Sequence, residues 1–335
     1  MNYIKMAPYT GLCGFGGGSS GLNVFGKSAA VHYGDRGIHG GGNTHDLGGL
    51  TVMYFSITST GNASDFGDLT DARYFLGGCA DGSLGRATWG GGRTPGATNI
   101  IDYLTISTTG NASDFGDLSQ SRHRLSAACD ATTDRGFYFG GDTGGALSDR
   151  IDYITLASTG NATDTGNLSY AARHTGSAAN SLNSKVYCFC GAANISNNWT
   201  GSDYIQVILD ASTGGNSYDY GNATQEKEHV TATSNNERAI VFGGSFTNGN
   251  VLQNTIEYLT LDGSVGGNCS DFGDLDAGKR SAASMANKAR ACCAGGYTGS
   301  NINVIEYITI DTTGDASDFG DLADSRAFAA AMSGD

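Results

Sequence analysis

The chain has 335 residues, of which 53 are Gly and only 2 are Pro, and its formal net charge is −14. The scarcity of Pro and the lack of a Gly triplet exclude collagen, and an aromatic content of 10% argues against a disordered chain. Lys and Arg form no cluster in the sequence, which disfavours nucleic acid as a partner. The negative net charge likewise disfavours anionic membrane surfaces.

The N-terminus, MNYIKMAPYTGLCGFGGG, contains no apolar run of the length of a signal-peptide core. No other segment reaches transmembrane length. We therefore expect a protein made in a cytoplasm, without a signal peptide, a membrane segment or membrane insertion. The eight Cys residues of so long a chain are expected to be buried thiols and not a disulfide framework.

A long motif recurs along the chain. YFSITSTGNASDFGDL at 54–69 returns with small changes at 103–118, 153–168, 258–275 and 307–322, and a looser copy spans 204–222. The period is about fifty residues, which is typical of repeat architectures. The predicted repeats are approximately 28–70, 71–120, 121–170, 171–225, 226–277 and 278–326.

Each repeat contains four strand patterns. The first strand is rich in Ala, Ser and Gly, the second ends in paired glycines, the third alternates around a Tyr, and the fourth carries the DFGDL turn. Four-stranded units at this period predict an all-β fold, a β-propeller of antiparallel blades with the first strand innermost. The whole chain, 1–335, is expected to form one propeller domain.

The two ends of the chain predict how the ring closes. AFAAAMSGD at 327–335 has the pattern of a first strand, and LCGFGGG at 12–18 has that of a second strand. Pairing of these N- and C-terminal strands would build a composite closing blade from 1–27 and 327–335. This arrangement predicts seven blades, with six blades as the alternative.

The paired glycines and the downstream Tyr make the repeats similar to those of the kelch family over 28–326. The Phe lies twelve to fourteen residues after the Tyr, whereas kelch repeats place a Trp about six residues after it. The TGNASDFGDL repeats also resemble those of uncharacterised bacteriophage virion proteins, especially marine ones. These resemblances imply a kelch-like propeller and a virion protein. The Arg that kelch repeats carry before the first strand is matched by Arg73, Arg122, Arg173, Arg280 and Arg326.

A carboxylate and a guanidinium recur across the turn from the fourth strand to the next first strand. Their repetition in most blades favours structural staples between blades over acid–base catalysis. If Arg consumes one carboxylate in each turn, too few oxygens remain for Ca²⁺, so we expect no cofactor, with calcium as the alternative. The predicted pairs are Asp68 with Arg73, Asp117 with Arg122, Asp274 with Arg280, and Asp321 with Arg326.

Motifs of metal and catalytic sites are missing from the sequence. The pairs Cys188/Cys190 and Cys292/Cys293 have no His at zinc-site spacing, and the six His residues form no motif. There is no nucleophile elbow, phosphate loop or dinucleotide fingerprint. We therefore expect no catalytic residue, no metal site and no enzyme. A glycan-directed enzyme and an intracellular kelch-type interaction module are the alternatives.

The connections within the repeat differ in their regularity. The link between the third and fourth strands is nearly identical in every copy, whereas the loop between the second and third strands differs each time. These connections emerge on opposite faces of a propeller, and recognition usually lies in variable loops on a rigid scaffold. The sequence therefore predicts adhesion or assembly through the irregular face, with a host-surface glycan or protein, or other virion proteins, as partners; neutral variation of the loops is the alternative. The predicted binding residues are Asn197, Asn198, Trp199 and Tyr297.

Overall fold

The computed structural model describes residues 34–44, 47–81, 84–195, 198–246 and 251–334. Every regular element within these ranges is a β-strand. The strands form six antiparallel sheets of four principal strands arranged in a ring, which is a six-bladed β-propeller. The prediction of an all-β propeller is confirmed. Accordingly, no described segment forms an apolar helix long enough to cross a membrane.

Each blade runs from an innermost strand beside the channel to an outermost strand at the rim. In that order, blade 1 contains Ala330–Gly334, Arg36–Gly40, Leu47–Ser56 and Ser64–Arg73. Blade 2 contains Gly77–Asp81, Arg86–Gly90, Thr98–Thr105 and Ser113–Arg122. Blade 3 contains Ser126–Asp130, Arg135–Phe139, Arg150–Thr155 and Thr163–Asn167.

The second half of the ring repeats this order. Blade 4 contains Gly176–Asn180, Lys185–Phe189, Asn198–Ile208 and Tyr218–Lys227. Blade 5 contains Thr231–Ser234, Arg238–Phe242, Thr255–Thr260 and Ser270–Asp274. Blade 6 contains Ala283–Ala286, Arg290–Ala294, Val304–Thr309 and Ser317–Asp321. Short accessory strands lie at Asn43–Thr44, Ala172–Arg173, Ala192–Ile195, Ser245–Phe246 and Val251–Leu252.

The ring closes with strands from both ends of the described chain. Ala330–Gly334 pairs with Arg36–Gly40, so that Met332 lies opposite Ile38. Ala330–Gly334 also contacts the innermost strands of blades 2 and 6. A C-terminal first strand therefore does complete a composite blade, but its partner is 36–40 and not 12–18, which lies outside the described residues. Blade 1 is then complete, which gives the six-bladed alternative in place of the seven blades expected.

The hydrophobic core is divided into six clusters, each between two adjacent blades. Between blades 2 and 3, for example, Phe115 and Leu118 pack with Tyr138 and Ile154. Because a blade buries both of its faces against its neighbours, its second strand is apolar on both sides. This explains the continuous run Phe137, Tyr138 and Phe139, none of which is more than 1% exposed.

The uniform link between the third and fourth strands joins neighbouring blades. In the turn of blade 2, Gly110 and Ala112 donate their N–H groups to the carbonyls of Phe66 and Asp68 in the outer strand of blade 1, at 2.8 and 2.7 Å. Asn111 Oδ1 accepts the N–H of Asp68 at 3.1 Å. The turn thus covers part of an edge strand that would otherwise be unpaired. The same side-chain acceptor comes from Asn161, Asn216, Asn268, Asp315 and Asn62 in the other blades.

Candidate functional site

The two faces of the ring differ in what they carry. The turn face carries the uniform links between third and fourth strands. The loop face carries the variable loops between second and third strands, together with the connections that lead from each outer strand to the innermost strand of the next blade. These connections meet at the central axis, where they surround the mouth of the channel.

Six residues, one from each connection, form a closed ring at this mouth. Each has a positive φ between 55 and 60°, which is uncommon outside Gly. Each N–H donates to the carbonyl of the equivalent residue in the adjacent blade, and the six bonds of 2.7–3.0 Å return to their starting point. This cycle of hydrogen bonds supports a backbone conformation that is strained for each residue alone. We call these residues the axial ring: Phe75, Arg124, His174, His229, Ser281 and Phe328.

The side chains of the axial ring divide into an apolar and a polar part. The rings of Phe75 and Phe328 lie 4.3 Å apart between centroids. The imidazoles of His174 and His229 stack at 3.4 Å, and His229 Nδ1 is hydrogen-bonded to Ser281 Oγ at 2.8 Å. The Arg124 guanidinium lies 4.8 Å from the centroid of the Phe75 ring, where the two parts meet. The mouth therefore combines aromatic surface with basic and hydroxyl groups.

A second layer of charged groups surrounds the axial ring. Asp142 accepts from the guanidinium groups of both Arg124 and Arg173, at 3.1 and 2.8 Å. His123 Nδ1–H donates to the backbone carbonyl of Asp142 at 2.6 Å. On the opposite side of the mouth, Arg280 lies 5.0 Å from the centroid of the Tyr297 ring.

The pKa shifts show how these charges influence each other. Burial lowers the pKa of His174 and His229 well below the usual range, and nearby cations, among them Arg124, lower both further. The pKa of Arg124 is also lowered, first by burial and then by Arg173. For Asp142, burial opposes ionisation, but the Gly144 N–H and Arg173 together hold its pKa below the ordinary value. At neutral pH the mouth therefore carries neutral imidazoles, charged guanidinium groups and an ionised Asp142.

The predicted binding residues occupy different parts of the loop face. Tyr297 is half-buried and forms isolated β-bridges with Arg280 and Asn301, beside the mouth. Asn198 and Trp199 lie in the extended hairpin of blade 4, where they pair with Ile195 and Asn194. Asn197 lies outside the described residues. Arg173 pairs with Ala192 at the base of this hairpin, so the hairpin begins beside the second layer of the mouth.

The predicted Asp–Arg staples need a correction of their acid partner. Arg73 and Arg122 are fully buried, but Arg73 pairs with Asp102 and Arg122 pairs with Asp152 at 2.7 Å. Both acids come from the third strand of the next blade. Asp68 and Asp117 instead donate their backbone N–H groups to the Asn side chains of the uniform turns. The staples do connect adjacent blades, through a different carboxylate.

The same position holds Lys–Glu pairs later in the chain. Lys227 pairs with Glu257 at 3.0 Å, and Lys279 pairs with Glu306. The staple of blade 5 is therefore Lys279 and not Arg280, and Asp274 donates its N–H to Asp315 Oδ1. In these four pairs, Arg always binds the shorter acid Asp, and Lys always binds the longer acid Glu. Between blades 3 and 4 an uncharged pair, Ala172 and Gln206, replaces the ions.

Arg326 is the sixth member of this set and lacks a carboxylate on the third strand. Its guanidinium donates to the carbonyls of Gly41 and Thr51 at 3.0 and 2.9 Å, and it pairs with Asp324 at 2.6 Å. Met53 occupies the position that Asp102 has in blade 2. The predicted partner Asp321 donates its N–H to Asn62 Oδ1 instead.

Thiols and carboxylates are side chains of this protein that could bind a metal ion. Within the described ranges, no group of three or more His, Cys, Asp or Glu side chains is placed to hold a metal ion. The Cys residues described there are buried free thiols. Burial raises the pKa of Cys188 to about 12, and that of Cys293 likewise, so these thiols are protonated at neutral pH.

Comparison with protein-family models and with curated proteins gives no match to this chain.

The axial ring is the feature that sequence reasoning missed. The six His residues showed no motif along the chain, yet His123, His174 and His229 lie together at the mouth. The position of these residues in the repeat could have revealed them, because every axial-ring residue lies just before the first strand of a blade. This regularity was obscured because the residue type changes from blade to blade.

Proposed function

We propose that this protein is a non-enzymatic binding module, and that it recognises its partner through the loop face around the axial ring. The observation that carries the proposal is an asymmetry. The inter-blade cores and uniform turns recur around the ring, whereas the side chains of the mouth change from blade to blade, so that their arrangement is not repeated. A β-propeller is a scaffold typical of interaction modules, and only its non-repeating surface can distinguish one partner from another.

The state of the ionisable groups favours binding over catalysis. A general acid or base works best with a pKa near the operating pH, but the pKa values of His174 and His229 are held far below neutrality. Asp142 is engaged by two guanidinium groups. These groups are suited to fixed hydrogen bonds and charge pairing and poorly suited to proton transfer.

The proposed setting is a bacteriophage virion, where the protein would be an appendage or decoration protein with a role in host recognition. The support is the resemblance of the TGNASDFGDL repeats to virion proteins. In addition, the uniform turns are used within the ring, which leaves the loop face as the variable surface. Particles purified from the producing culture should contain the chain in a fixed ratio to the capsid protein. Finding it only in the particle-free fraction would contradict a virion role.

Two Tyr variants test which face binds. Tyr297→Ser alters the loop face, and Tyr218→Ser alters an exposed Tyr that follows a uniform turn, on the side of the opposite face. Binding would be measured against immobilised bacterial surface polysaccharides and intact host cells. We expect a loss for Tyr297→Ser and none for Tyr218→Ser. The reverse pattern would assign recognition to the turn face.

A further inference from the structure

The mouth concentrates positive charge in a chain of net charge −14. Electrostatic coupling links the guanidinium groups to one another and to the histidines, since Arg124 is affected by both Arg173 and Arg93, and His229 by Arg280. Two carboxylates lie beside these groups, Asp142 on Arg124 and Glu228 next to His229, and both are largely buried. The cationic side chains therefore outnumber the anionic ones at the mouth: Arg93, Arg124, Arg173 and Arg280.

Arg124 is placed to receive an anionic group. Among the described residues, its guanidinium forms one side-chain hydrogen bond, from Nη1 to Asp142. Its side chain is 22% exposed, and Arg173 holds the same carboxylate from the other side. A guanidinium presents several donors in one plane, so an incoming carboxylate can bind donors that Asp142 leaves open.

The aromatic half of the mouth limits the kind of molecule that carries this anion. Phe75 lies against Arg124 on one side and against Phe328 on the other. The three side chains help to line a small cavity of about 60 Å³, together with Leu76, Thr175 and Val230. The apolar C–H face of a sugar ring packs well on aromatic side chains, while a carboxylate on the same ring reaches a neighbouring guanidinium. A polyanion would be repelled by the rest of the acidic chain.

We propose that the axial mouth binds a terminal acidic sugar, with its carboxylate on Arg124 and its ring against Phe75 and Phe328. This inference rests on the proposed function, since it assigns a ligand class to the same face. His229 and Ser281, on the polar side of the mouth, supply hydrogen-bonding groups for sugar hydroxyls.

The first experiment compares two ligands that differ in one group. Methyl β-D-glucuronide and methyl β-D-glucoside have the same ring, and only the first has a carboxylate. Binding to the full chain would be followed by NMR titration, with inorganic phosphate and an acidic peptide as further arms. We expect the glucoside to bind at least about tenfold more weakly than the glucuronide, because a charge-assisted pair is lost. Equal binding of the two sugars would overturn the proposal, and so would phosphate or the peptide binding as tightly as the glucuronide.

Variants then place the ligand. Arg124→Asn keeps a residue type that tolerates positive φ and should weaken glucuronide binding at least about tenfold. Arg150→Gln, which removes an equal charge from a more exposed site paired with Asp164, should leave it unchanged. Phe328→Asn should weaken both sugars while leaving any phosphate binding intact. Melting curves show whether each variant is folded, and glucuronide binding unaffected by both Arg124→Asn and Phe328→Asn would contradict the assignment.

Failure of this inference can be distinguished from failure of the proposed function. If Tyr297→Ser abolishes binding to host cells while no acidic sugar binds the mouth, the loop face is still the recognition surface and only the ligand class is wrong. If neither experiment shows an effect at the loop face, both proposals fail.

Discussion

At four of the six junctions between blades, a buried cation at the end of the outer strand pairs with a carboxylate from the next blade. Arg122 is fully buried and pairs with Asp152, and its Nη1 also donates to the carbonyls of Gly140 and Arg150 at 2.7 and 2.8 Å. Asp152 accepts the N–H and hydroxyl of Ser119 as well. Burial lowers the pKa of Arg122, and Asp152 opposes that shift. Because the ions are desolvated, removing one partner costs more than removing both.

The uncharged residues Ala172 and Gln206, which replace the ion pair between blades 3 and 4, suggest a test of how much stability the buried ion pair contributes. Arg122→Ala should lower the free energy of unfolding by about 3–5 kcal/mol, since it leaves the buried Asp152 unpaired. The double variant Arg122→Ala/Asp152→Gln copies the Ala172–Gln206 pair between blades 3 and 4 and should recover most of the loss. Urea unfolding measures both. A double variant no more stable than the single one would show that the cost comes from lost packing and not from the unpaired charge.

His39 is an ionisable residue inside the core. It is fully buried, and neither ring nitrogen has a hydrogen-bond partner among the described residues. Burial, followed by the charge of Arg326, lowers its pKa to about 3. The equivalent positions in the other blades hold mostly apolar residues, namely Trp89, Tyr138, Cys188, Val241 and Cys293.

Replacing His39 should change how stability depends on pH. The pKa of His39 is about 6.5 in the unfolded chain and about 3 in the folded chain. At a pH between these two values, the unfolded chain binds a proton that the folded chain does not. The stability present above pH 6.5 is therefore lost as the pH falls. His39→Leu removes this loss, so its advantage over the parent should grow by about 3 kcal/mol between pH 7 and pH 4. Val241→Leu is the control without a titrating group, and parallel pH curves for parent and His39→Leu would contradict the prediction.

At the level of elements, the uniform turn and the Gly of the DFGD segment fit together across blades. A Cβ on Gly116 would lie 2.5 Å from the carbonyl oxygen of Gly160 in the turn of blade 3. A Cβ on Gly110 would meet no atom within 4 Å. Both glycines have positive φ, of 143 and 159°, so they differ mainly in the space around them.

This contrast gives a matched pair of substitutions. Gly116→Ala should destabilise the protein by about 2–3 kcal/mol more than Gly110→Ala, because only the first pushes two blades apart. Thermal and urea unfolding of both variants would measure the difference. Equal effects would show that backbone conformation, and not the approach of the next blade, is why Gly occurs in DFGD.

The sequence predicted the elements better than it predicted their contacts. Strand order within each blade follows from local alternation and glycine placement, which need only nearby residues. The acid partner of Arg73 was misassigned because Asp68 is five residues away, whereas Asp102 is 29 residues away in the next blade. Contacts between blades depend on how sheets stack, which local spacing does not encode.

The candidate site was also partly predictable. The choice of the loop face and of Tyr297 rested on loop variability, and Tyr297 does lie beside the mouth. The axial ring was missed because its members share a backbone conformation and not a residue type. Phe, Arg, His and Ser at equivalent positions give no recognisable motif until the six connections are brought to one axis.

On the scale of the whole molecule, closure turns six sheets into one ring. In blades 2 to 6 of the described chain, the innermost strand is followed in sequence by the second strand of the same blade. In blade 1, the innermost strand Ala330–Gly334 comes from the C-terminal end and the second strand Arg36–Gly40 from the N-terminal end. Met332 is 5% exposed and packs with residues of blades 1 and 2, including Ile38 and Trp89. Blades 1 and 6 are held together partly by this terminal segment, so it should govern the stability of the ring as a unit.

Deleting 330–335 should therefore open the ring. The inner edge of Arg36–Gly40 would lose its partner, and the apolar cluster between blades 1 and 2 would be exposed. We expect the melting temperature to fall by at least about 10 °C, whereas removal of Asp335 alone should change it little. If the truncated chain does not fold, Met332→Ser offers a milder lesion in the same strand, with a smaller shift in the same direction. An unchanged melting temperature after the deletion would contradict closure by Ala330–Gly334.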